Sequence, residues 1–495
     1  MRTSGILLHP TSLPGGHGIG DLGDWAFRFA DFLSDSAQGL WQVLPLGPPA
    51  EANSPYKACS SMAGNPLLIS LDSLARQGLL SRADLDGAPA FPDDLVDFDA
   101  VAALKWKLLK KAAHAFFAHG LPASRQEFEQ FCAEKGFWLD RFAEFAALRD
   151  ANGGTLWTKW RRKRAPNPQD VRLHKYVQFE FFCQWRALKR YCNERGIRIL
   201  GDLPIFVALD SADVWGNPEL FDLDEHGSPR TVAGVPPDYF SATGQLWGNP
   251  LYRWDAMERG GYQWWIDRIR CMLEHVDLIR IDHFRGFEKY YEIPAGSKNA
   301  IHGRWVEGPG DRFFAAISSV FGKLPFIAED LGLITPEVLA LRDRWGFPGM
   351  RILQFAFGNE SPLDPFKPHN YIRNCVVYTG THDNDTTVGW FRAKSPGDAT
   401  QTEAQMQAAH AFALRYLNSD GSEIHWDFIR AAVSSAADIA IFPLQDVLGL
   451  GSEARMNQPS SSENNWRWRF LPEQLKLELG SRLRELNRTY GRLNS

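Results

Sequence analysis

The chain has 495 residues, with 54 Lys and Arg against 59 Asp and Glu, which gives a formal net charge of −5. Its 44% hydrophobic and 23% charged residues are typical of a globular protein with a large core and exclude a disordered or fibrous chain. The mildly acidic balance provides no basic surface for nucleic acid. The one basic run, at 161–164, is interpreted as a solvated loop.

The cysteine pattern and the N-terminus predict where the protein works. The apolar stretch before His9 is too short for a signal peptide, and no run approaches the ~18 apolar residues of a membrane span. We therefore expect a cytoplasmic protein that binds neither membrane nor nucleic acid, with a monomer favoured although the sequence leaves the oligomeric state open. Six scattered cysteines without a C-x-x-C pair are interpreted as reduced core residues: Cys59, Cys132, Cys183, Cys192, Cys271 and Cys375.

Short apolar strands alternate with amphipathic helices along the chain. The first helix is predicted from apolar positions at helical spacing: Leu22, Trp25, Ala26, Phe29, Phe32 and Leu33. Another helix is predicted to open at Thr335-Pro336, a capping residue followed by proline, and a last one covers 472–490. The predicted strands are 5–9, 40–44, 197–203, 276–282, 325–329, 350–355, 375–379 and 438–444.

Eight strands that alternate with helices predict an α/β fold, a parallel sheet closed into a (β/α)₈ TIM barrel, with a doubly wound open sheet as the alternative. A bare barrel takes ~250 residues, so roughly half of the chain has to be inserted between strands. We expect a single catalytic barrel domain over 1–495. A helix-rich subdomain is expected at 47–196, and an irregular, lid-bearing one, rich in Gly, Pro, Asp and Trp, at 204–261.

Two motifs suggest a cofactor or a metal, and both fail on their context. Residues 18–23 fit G-x-G-x-x-G, but prolines separate them from the preceding strand and Asp21 would repel a pyrophosphate, so a packing turn is favoured. Asp222 and Asp224 begin a possible calcium loop, in which Ala233 stands where a bidentate carboxylate is needed. The sequence therefore predicts no cofactor and no dedicated metal site.

Acidic residues follow several predicted strands, at the end where barrel enzymes place their chemistry. Asp202, Asp282, Glu329 and Asp383 all stand at such strand ends. Because side chains alternate along a strand, Arg280 shares a face with Asp282 and would hold that carboxylate ionised. We expect these acids to converge on one rim of the barrel.

Two carboxyl groups of different protonation state are what cleavage of a glycosidic bond requires. One donates a proton to the leaving oxygen, and the other attacks or supports the anomeric centre. On spacing alone, hydrolysis assisted by a divalent metal also stays open, with the same acids and His283 and His382 as ligands of the metal. An excess of Trp over Tyr, 18 to 12, also suits a sugar ligand.

At these positions the sequence resembles the 4-alpha-glucanotransferases (amylomaltase or disproportionating enzyme) of the alpha-amylase superfamily. The resemblance covers nearly the whole chain. It rests on long, specific motifs at 8–14, 54–56, 63–66, 201–204, 210–215, 234–240, 244–250, 280–286, 328–332 and 381–384.

The resemblance implies a (β/α)₈ barrel that acts on α-1,4-glucans without a cofactor. It implies transfer of a segment from a donor maltodextrin to the 4-hydroxyl of an acceptor glucose or glucan, with an α-glucan hydrolase as the alternative. Asp282 matches the nucleophile, Glu329 the general acid/base and Asp383 the third acid. Retention through a covalent glucosyl-enzyme predicts the carboxyl groups of Asp282 and Glu329 ~5–5.5 Å apart.

The same resemblance implies the residues that contact the glucan. They are Arg280, His382 and Asp202 at the cleavage subsite, Ser54 and Tyr56 in a stacking wall, Asp238, Gln245 and Trp247 on a loop over the substrate, and Asn457. We expect the loop at 234–250 to be a lid that excludes water and so favours transfer over hydrolysis. Serines at 460–462 stand where the family has a glycine-containing turn, a departure that lies close to Asn457.

Overall fold

The computed structural model describes residues 2–160, 165–237, 241–395, 401–459 and 461–493, so the basic run at 161–164 lies outside the described residues. Strands within these ranges are β1 (Thr3–Leu7), β2 (Leu40–Gln42), β3 (Arg198–Pro204), β4 (Thr231–Val235), β5 (Gln245–Pro250), β6 (Leu278–Asp282), β7 (Lys289–Pro294), β8 (Arg304–Glu307), β9 (Phe326–Ala328), β10 (Gly349–Ile352), β11 (Cys375–Tyr378) and β12 (Ile439–Pro443).

Helices account for most of the remaining described chain. They are α1 (Asp24–Asp35), α2 (Leu71–Arg76), α3 (Arg82–Asp86), α4 (Phe98–His119), α5 (Pro122–Ala151), α6 (Pro168–Glu194), α7 (Ala212–Gly216), α8 (Trp254–Arg259), α9 (Gln263–His275), α10 (Gly310–Phe321), α11 (Pro336–Arg344), α12 (Thr387–Arg392), α13 (Glu403–Leu417), α14 (Ile424–Ser434), α15 (Leu444–Leu448) and α16 (Leu477–Thr489).

Eight strands close into a parallel barrel in the order β1-β12-β11-β10-β9-β6-β3-β2. This confirms the TIM barrel and each of the eight predicted strands, although their ends differ by a few residues. The strands are short because the chain turns early: 3₁₀ helices at Pro10–Ser12 and Leu353–Phe357 follow β1 and β10, where the sequence predicted longer strands. At β1 a side chain on Gly5 would place its Cβ 2.5 Å from the Cβ of Leu40, so this close strand pair requires glycine.

The predicted helix signals correspond to observed helices. The apolar positions from Ala26 to Leu33 form the buried face of α1. Thr335 is the N-cap of α11, with Pro336 at its first position, as the sequence predicts. At the C-terminus the predicted helix is divided into a 3₁₀ turn, Pro472–Gln474, and α16.

A four-stranded antiparallel sheet, in the order β5-β4-β7-β8, lies outside the barrel sheet. At 204–261, where the sequence predicts irregular structure, the chain forms β4 and β5. In β4 the alternation of buried and exposed side chains is weak, and the register of β4 against β5 shifts between Val232 and Gly234. The pairing of β4 with β7, which follows β6, holds this sheet beside the end of a barrel strand.

Long helices fill the stretch between β2 and β3. Among them α5 packs on α6 through a cluster of aromatic side chains that includes Phe131, Trp138 and Phe182. The chain then enters β3 directly from α6. Among the described helices, none has the length and apolar composition needed to cross a membrane.

Candidate active site

Three adjacent barrel strands bring the acids of the site together. β6 lies between β3 and β9, and its register sets Asp202 beside Arg280. Asp282 is the last residue of β6, and Glu329 follows β9 directly. The alternation of side chains along β6 directs Arg280 and Asp282 to the same side, as the sequence predicted.

Arg280 holds two carboxylates at the floor of the site. Its Nη1 lies 2.7 and 2.6 Å from the two carboxylate oxygens of Asp202, and its Nη2 lies 3.1 Å from Oδ1 of Asp282. Burial lowers the pKa of Arg280, but the carboxylates of Asp202 and Asp282 together raise it by more, so its pKa lies well above the usual value. The guanidinium is therefore a permanent buried charge that attracts Asp282.

Glu329 is fixed by the backbone of two neighbouring segments. Its Oε2 accepts a hydrogen bond from the backbone N–H of His283 at 2.7 Å, and its Oε1 accepts one from Leu331 at 2.9 Å. Burial raises the pKa of Glu329 to about 7, although Arg280 and these two hydrogen bonds lower it. Because His283 directly follows Asp282, the bond to its N–H brings the Glu329 carboxyl group close to the end of β6.

Asp282 differs from Glu329 in exposure and in its charged partner. Burial raises the pKa of Asp282, Arg280 lowers it, and the charges of Asp202 and Glu329 raise it further, so the net pKa is above its usual value. Its side chain is 29% exposed, whereas Glu329 is buried. Two such neighbouring carboxyl groups titrate as a pair. The direct contact with Arg280 favours the charged form at Asp282.

Asp383 lies on the loop after β11, at the rim of the site. Its side chain is 48% exposed, and its Oδ1 lies 3.3 Å from Nε2 of His382. The same oxygen accepts a hydrogen bond from Nδ2 of Asn457 at 2.6 Å. Arg455 donates to the backbone carbonyl of Asp383 at 2.9 Å. Asp383 therefore presents a carboxylate to solvent from a well-braced loop.

Tyr56 and His382 form an aromatic wall beside Asp202. The hydroxyl of Tyr56 donates to Oδ2 of Asp202 at 2.8 Å, and its ring stacks on His382 with centroids 5.0 Å apart. Burial lowers the pKa of His382, so the ring is neutral at neutral pH. Ser54 lies two residues earlier, in a turn closed by the N–H of Lys57, which donates to the Ser54 carbonyl at 3.1 Å.

The strand β5 places two more predicted residues near Asp282. Nε1 of Trp247 donates to Oε1 of Gln245 at 3.0 Å. The Trp247 ring meets the ring of His283 edge-on, with centroids 4.8 Å apart. Asp238, the third predicted residue of this loop, lies outside the described residues.

Several residues of the site were not predicted in their observed roles. His283 holds Glu329 through its backbone N–H, with a left-handed φ of 54°, and no sequence pattern signals such a role. The Trp466 ring lies 5.9 Å from those of both Tyr56 and His382, and the sequence analysis did not single it out. Asp330, next to Glu329, is buried in an ion pair with Arg342 and so has a structural role.

The two histidines considered as metal ligands have other neighbours. Nδ1 and Nε2 of His382 lie 3.5 Å from the Tyr56 hydroxyl and 3.3 Å from Asp383, respectively. The His283 side chain packs on Trp247. Within the described ranges no group of three or more His, Cys, Asp or Glu side chains converges as a metal site would require.

The chain is similar to known proteins over its whole length. Residues 8–474 match the family model Glyco_hydro_77, described as 4-alpha-glucanotransferase. A 4-alpha-glucanotransferase of Synechocystis is 50% identical, with 99% of this chain and 98% of that protein covered. One from Thermus thermophilus is 48% identical, with 99% of each chain covered. The solved structure of amylomaltase from Streptococcus agalactiae in complex with acarbose superposes with a TM-score of 0.93 at 36% identity, covering 100% of both chains.

Proposed function

The chain belongs to glycoside hydrolase family 77 and is a 4-alpha-glucanotransferase that acts on α-glucans, and from this premise we propose how its own residues carry out the transfer. In this proposal Asp282 is the nucleophile, Glu329 the general acid and base, and Asp383 the third acid. The arrangement of Arg280, Asp282 and Glu329 at the ends of β6 and β9 is the observation that carries it.

In the first step a carboxylate oxygen of Asp282 attacks the anomeric carbon of a bound maltodextrin. The bond from that carbon to the 4-oxygen of the next glucose breaks, and Glu329 gives its proton to this leaving oxygen. Arg280, 3.1 Å from Asp282, keeps the nucleophile charged before the attack. Burial gives Glu329 a pKa near 7, so a large share of the enzyme holds the proton that the step needs.

In the second step the 4-hydroxyl of an acceptor glucose or maltodextrin attacks the same carbon. Glu329, now ionised, takes the proton of that hydroxyl, and the bond to Asp282 breaks. Two inversions give net retention of the α linkage. The two backbone hydrogen bonds from His283 and Leu331 stabilise the ionised form that acts as the base.

The remaining predicted residues bind the sugar ring in subsite positions. Asp383 accepts hydrogen bonds from ring hydroxyls, and Asn457, which holds it at 2.6 Å, keeps it in place. Tyr56 and His382 form a flat wall against which a glucose face can pack. Asp202 orients Arg280 and Tyr56 together, and Ser54 belongs to the turn that carries Tyr56.

Transfer in preference to hydrolysis requires that water be kept from the glucosyl-enzyme. We assign this function to the segment at 234–250, which includes β5 and its connection from β4, with Gln245, Trp247 and Asp238. Trp247 packs on the residue next to Asp282, so the indole is positioned to cover a bound acceptor. An α-glucan hydrolase with the same acids is the second candidate.

Incubation with maltotriose separates the two candidates. Transfer produces glucose together with a ladder of longer maltodextrins, whereas hydrolysis produces only shorter sugars. Unchanged maltotriose would contradict both. The ladder should form equally with and without a chelator, because no step of the proposed reaction uses a metal.

We further propose that the protein works as a monomer in the cytoplasm. All six cysteines are free thiols, four of them buried, which supports a reducing compartment. Size-exclusion chromatography coupled to light scattering tests the monomer, and a mass near twice 55.9 kDa would contradict it.

A further inference from the structure

A cavity of about 560 Å³ lies on the flank of the barrel, between α5, α7, α8 and α9. None of the residues proposed above for catalysis or glucan binding lines it. Since α9 leads into the start of β6, its first turn lies level with the carboxyl end of the barrel, where the active site opens. The cavity is therefore a separate site on the same side of the molecule.

The lining combines aromatic faces with planar polar groups. Phe137, on α5, is 46% exposed, and Trp264, on α9, is partly exposed. Gln263 and Asn217 contribute carboxamides, and Asp267 contributes a carboxylate. Flat faces beside planar hydrogen-bonding groups suit a glucose ring, whose C–H faces stack on an aromatic ring while its edge carries hydroxyls.

The charged groups of the lining already have partners, which favours a neutral ligand. Asp140 pairs with Lys175 at 2.5 Å and Asp267 with Arg270 at 2.6 Å. Arg141 already donates to the carbonyl of Gly216 at 2.8 Å and to the side chain of Asn217. A neutral, hydroxyl-rich ligand fits this balance best.

The back wall of the cavity continues into the loop that carries Tyr56. Ser60 and Met62 line the cavity, four and six residues after Tyr56. Asp213 holds the intervening residue, because its carboxylate accepts from the N–H of Ser61 at 2.7 Å and from its hydroxyl at 2.8 Å. A ligand in the cavity thus contacts a segment that also shapes the active site.

We propose that this cavity binds an α-1,4-glucan chain outside the catalytic cleft and so raises the affinity for long glucans. The inference rests on the 4-alpha-glucanotransferase activity, since the ligand is a stretch of the same substrate. Two sites on one polymer raise its apparent affinity without any new contact at the acids. Maltotriose, which is too short to span both sites, gains nothing from the cavity.

The test uses Phe137→Ala and Gln263→Ala, with Leu121→Ala as the matched control. Leu121 is an exposed apolar residue at the start of α5 that does not line the cavity. Gln263 is exposed, so its substitution leaves the core intact even if loss of Phe137 disturbs α5. Each variant is assayed for KM with amylose and with maltotriose, and for retardation in native gels that contain glycogen.

We expect KM for amylose to rise several-fold and retardation by glycogen to weaken in both cavity variants, with KM for maltotriose and the control unchanged. Unchanged KM for amylose would overturn the inference. An equal rise for both substrates would also overturn it, because the cavity would then act only through the active site. In either case activity on maltotriose still reports separately on the proposed mechanism.

Discussion

The active site has two regions that differ in how firmly the fold holds them. The catalytic floor, formed by Asp202, Arg280, Asp282 and Glu329, stands on adjacent barrel strands and is joined by ion pairs and backbone hydrogen bonds. The rim, formed by Gln245, Trp247, Asp383 and Asn457, stands on β5 and on loops and is more exposed. The charges of the floor are therefore fixed before a substrate binds, whereas the partly exposed side chains of Gln245 and Trp247 at the rim can adjust around it.

This contrast implies that the two regions have different functions in the reaction. In the proposed mechanism Asp282 and Glu329 of the floor act on the reacting atoms in both half-reactions, so their loss should abolish transfer and hydrolysis together. Gln245 and Trp247 at the rim are proposed to control what reaches the glucosyl-enzyme, so their loss should change the products more than the rate, whereas Asp383 binds the reacting sugar ring itself. Three substitutions and one pH titration test whether the floor and the rim differ in this way.

The largest effect is expected for Asp282→Asn, which removes the nucleophile. Both transfer and hydrolysis of maltotriose should fall by more than about 10³-fold, because an amide cannot form the glucosyl-enzyme. Asp385→Asn is the matched control. The side chain of Asp385 accepts hydrogen bonds from the hydroxyl of Ser452 and from the N–H of Thr386, and no step of the proposed mechanism uses it. If Asp282→Asn lost hydrolysis but kept transfer, Asp282 could not be the nucleophile of both reactions.

The next effect is expected for Glu329→Gln, which removes the proton donor. Transfer from maltotriose should fall by roughly 10²- to 10⁴-fold. The loss should be much smaller in the first step with α-maltosyl fluoride, because fluoride leaves without a proton. Burst kinetics with this donor measures that step. An equal loss with both donors would argue that Glu329 acts only on structure.

A smaller effect follows from pH. Glu329 must be protonated to act as the acid, and burial raises its pKa to about 7. The kcat/KM for maltotriose should therefore fall about tenfold for each pH unit above that pKa. With α-maltosyl fluoride and Glu329→Gln this alkaline decline should disappear. Its persistence in the variant would assign the titration to another group.

The smallest effect on rate is expected at the rim. Trp247→Ala should lower the ratio of transfer to hydrolysis several-fold while the total rate of maltotriose cleavage changes little, because water then reaches the glucosyl-enzyme. Leu246→Ala, at an exposed position of the same strand, is the control. An unchanged ratio in Trp247→Ala would remove the function assigned to the lid.

The same contrast explains what could be predicted from the sequence. The floor follows from strand periodicity: alternation sets Arg280 and Asp282 on one face, and parallel strands bring Glu329 to the same end. The strand β4 was missed because three consecutive residues in it are buried, without the alternation of a half-buried strand, and because its register against β5 shifts. The bond from His283 to Glu329 was missed because it depends on a backbone angle rather than on side-chain identity.

The roles assigned to individual residues came from resemblance, and spacing alone left a metal-dependent hydrolase open. Only the assembled site shows that Asn457, 74 residues further along the chain, holds Asp383. Such a long-range contact has no local signal in the sequence. The catalytic roles of Asp282, Glu329 and Asp383 are predictions, which the substitutions above test.

The central claim is that a glucosyl-enzyme forms on Asp282. A fluorosugar donor that slows the second step, used with wild-type enzyme, should trap the intermediate, and peptide mass spectrometry should find the added sugar on Asp282 alone. A label on Glu329 or Asp383, or full turnover of the trap with no labelled peptide, would contradict the account.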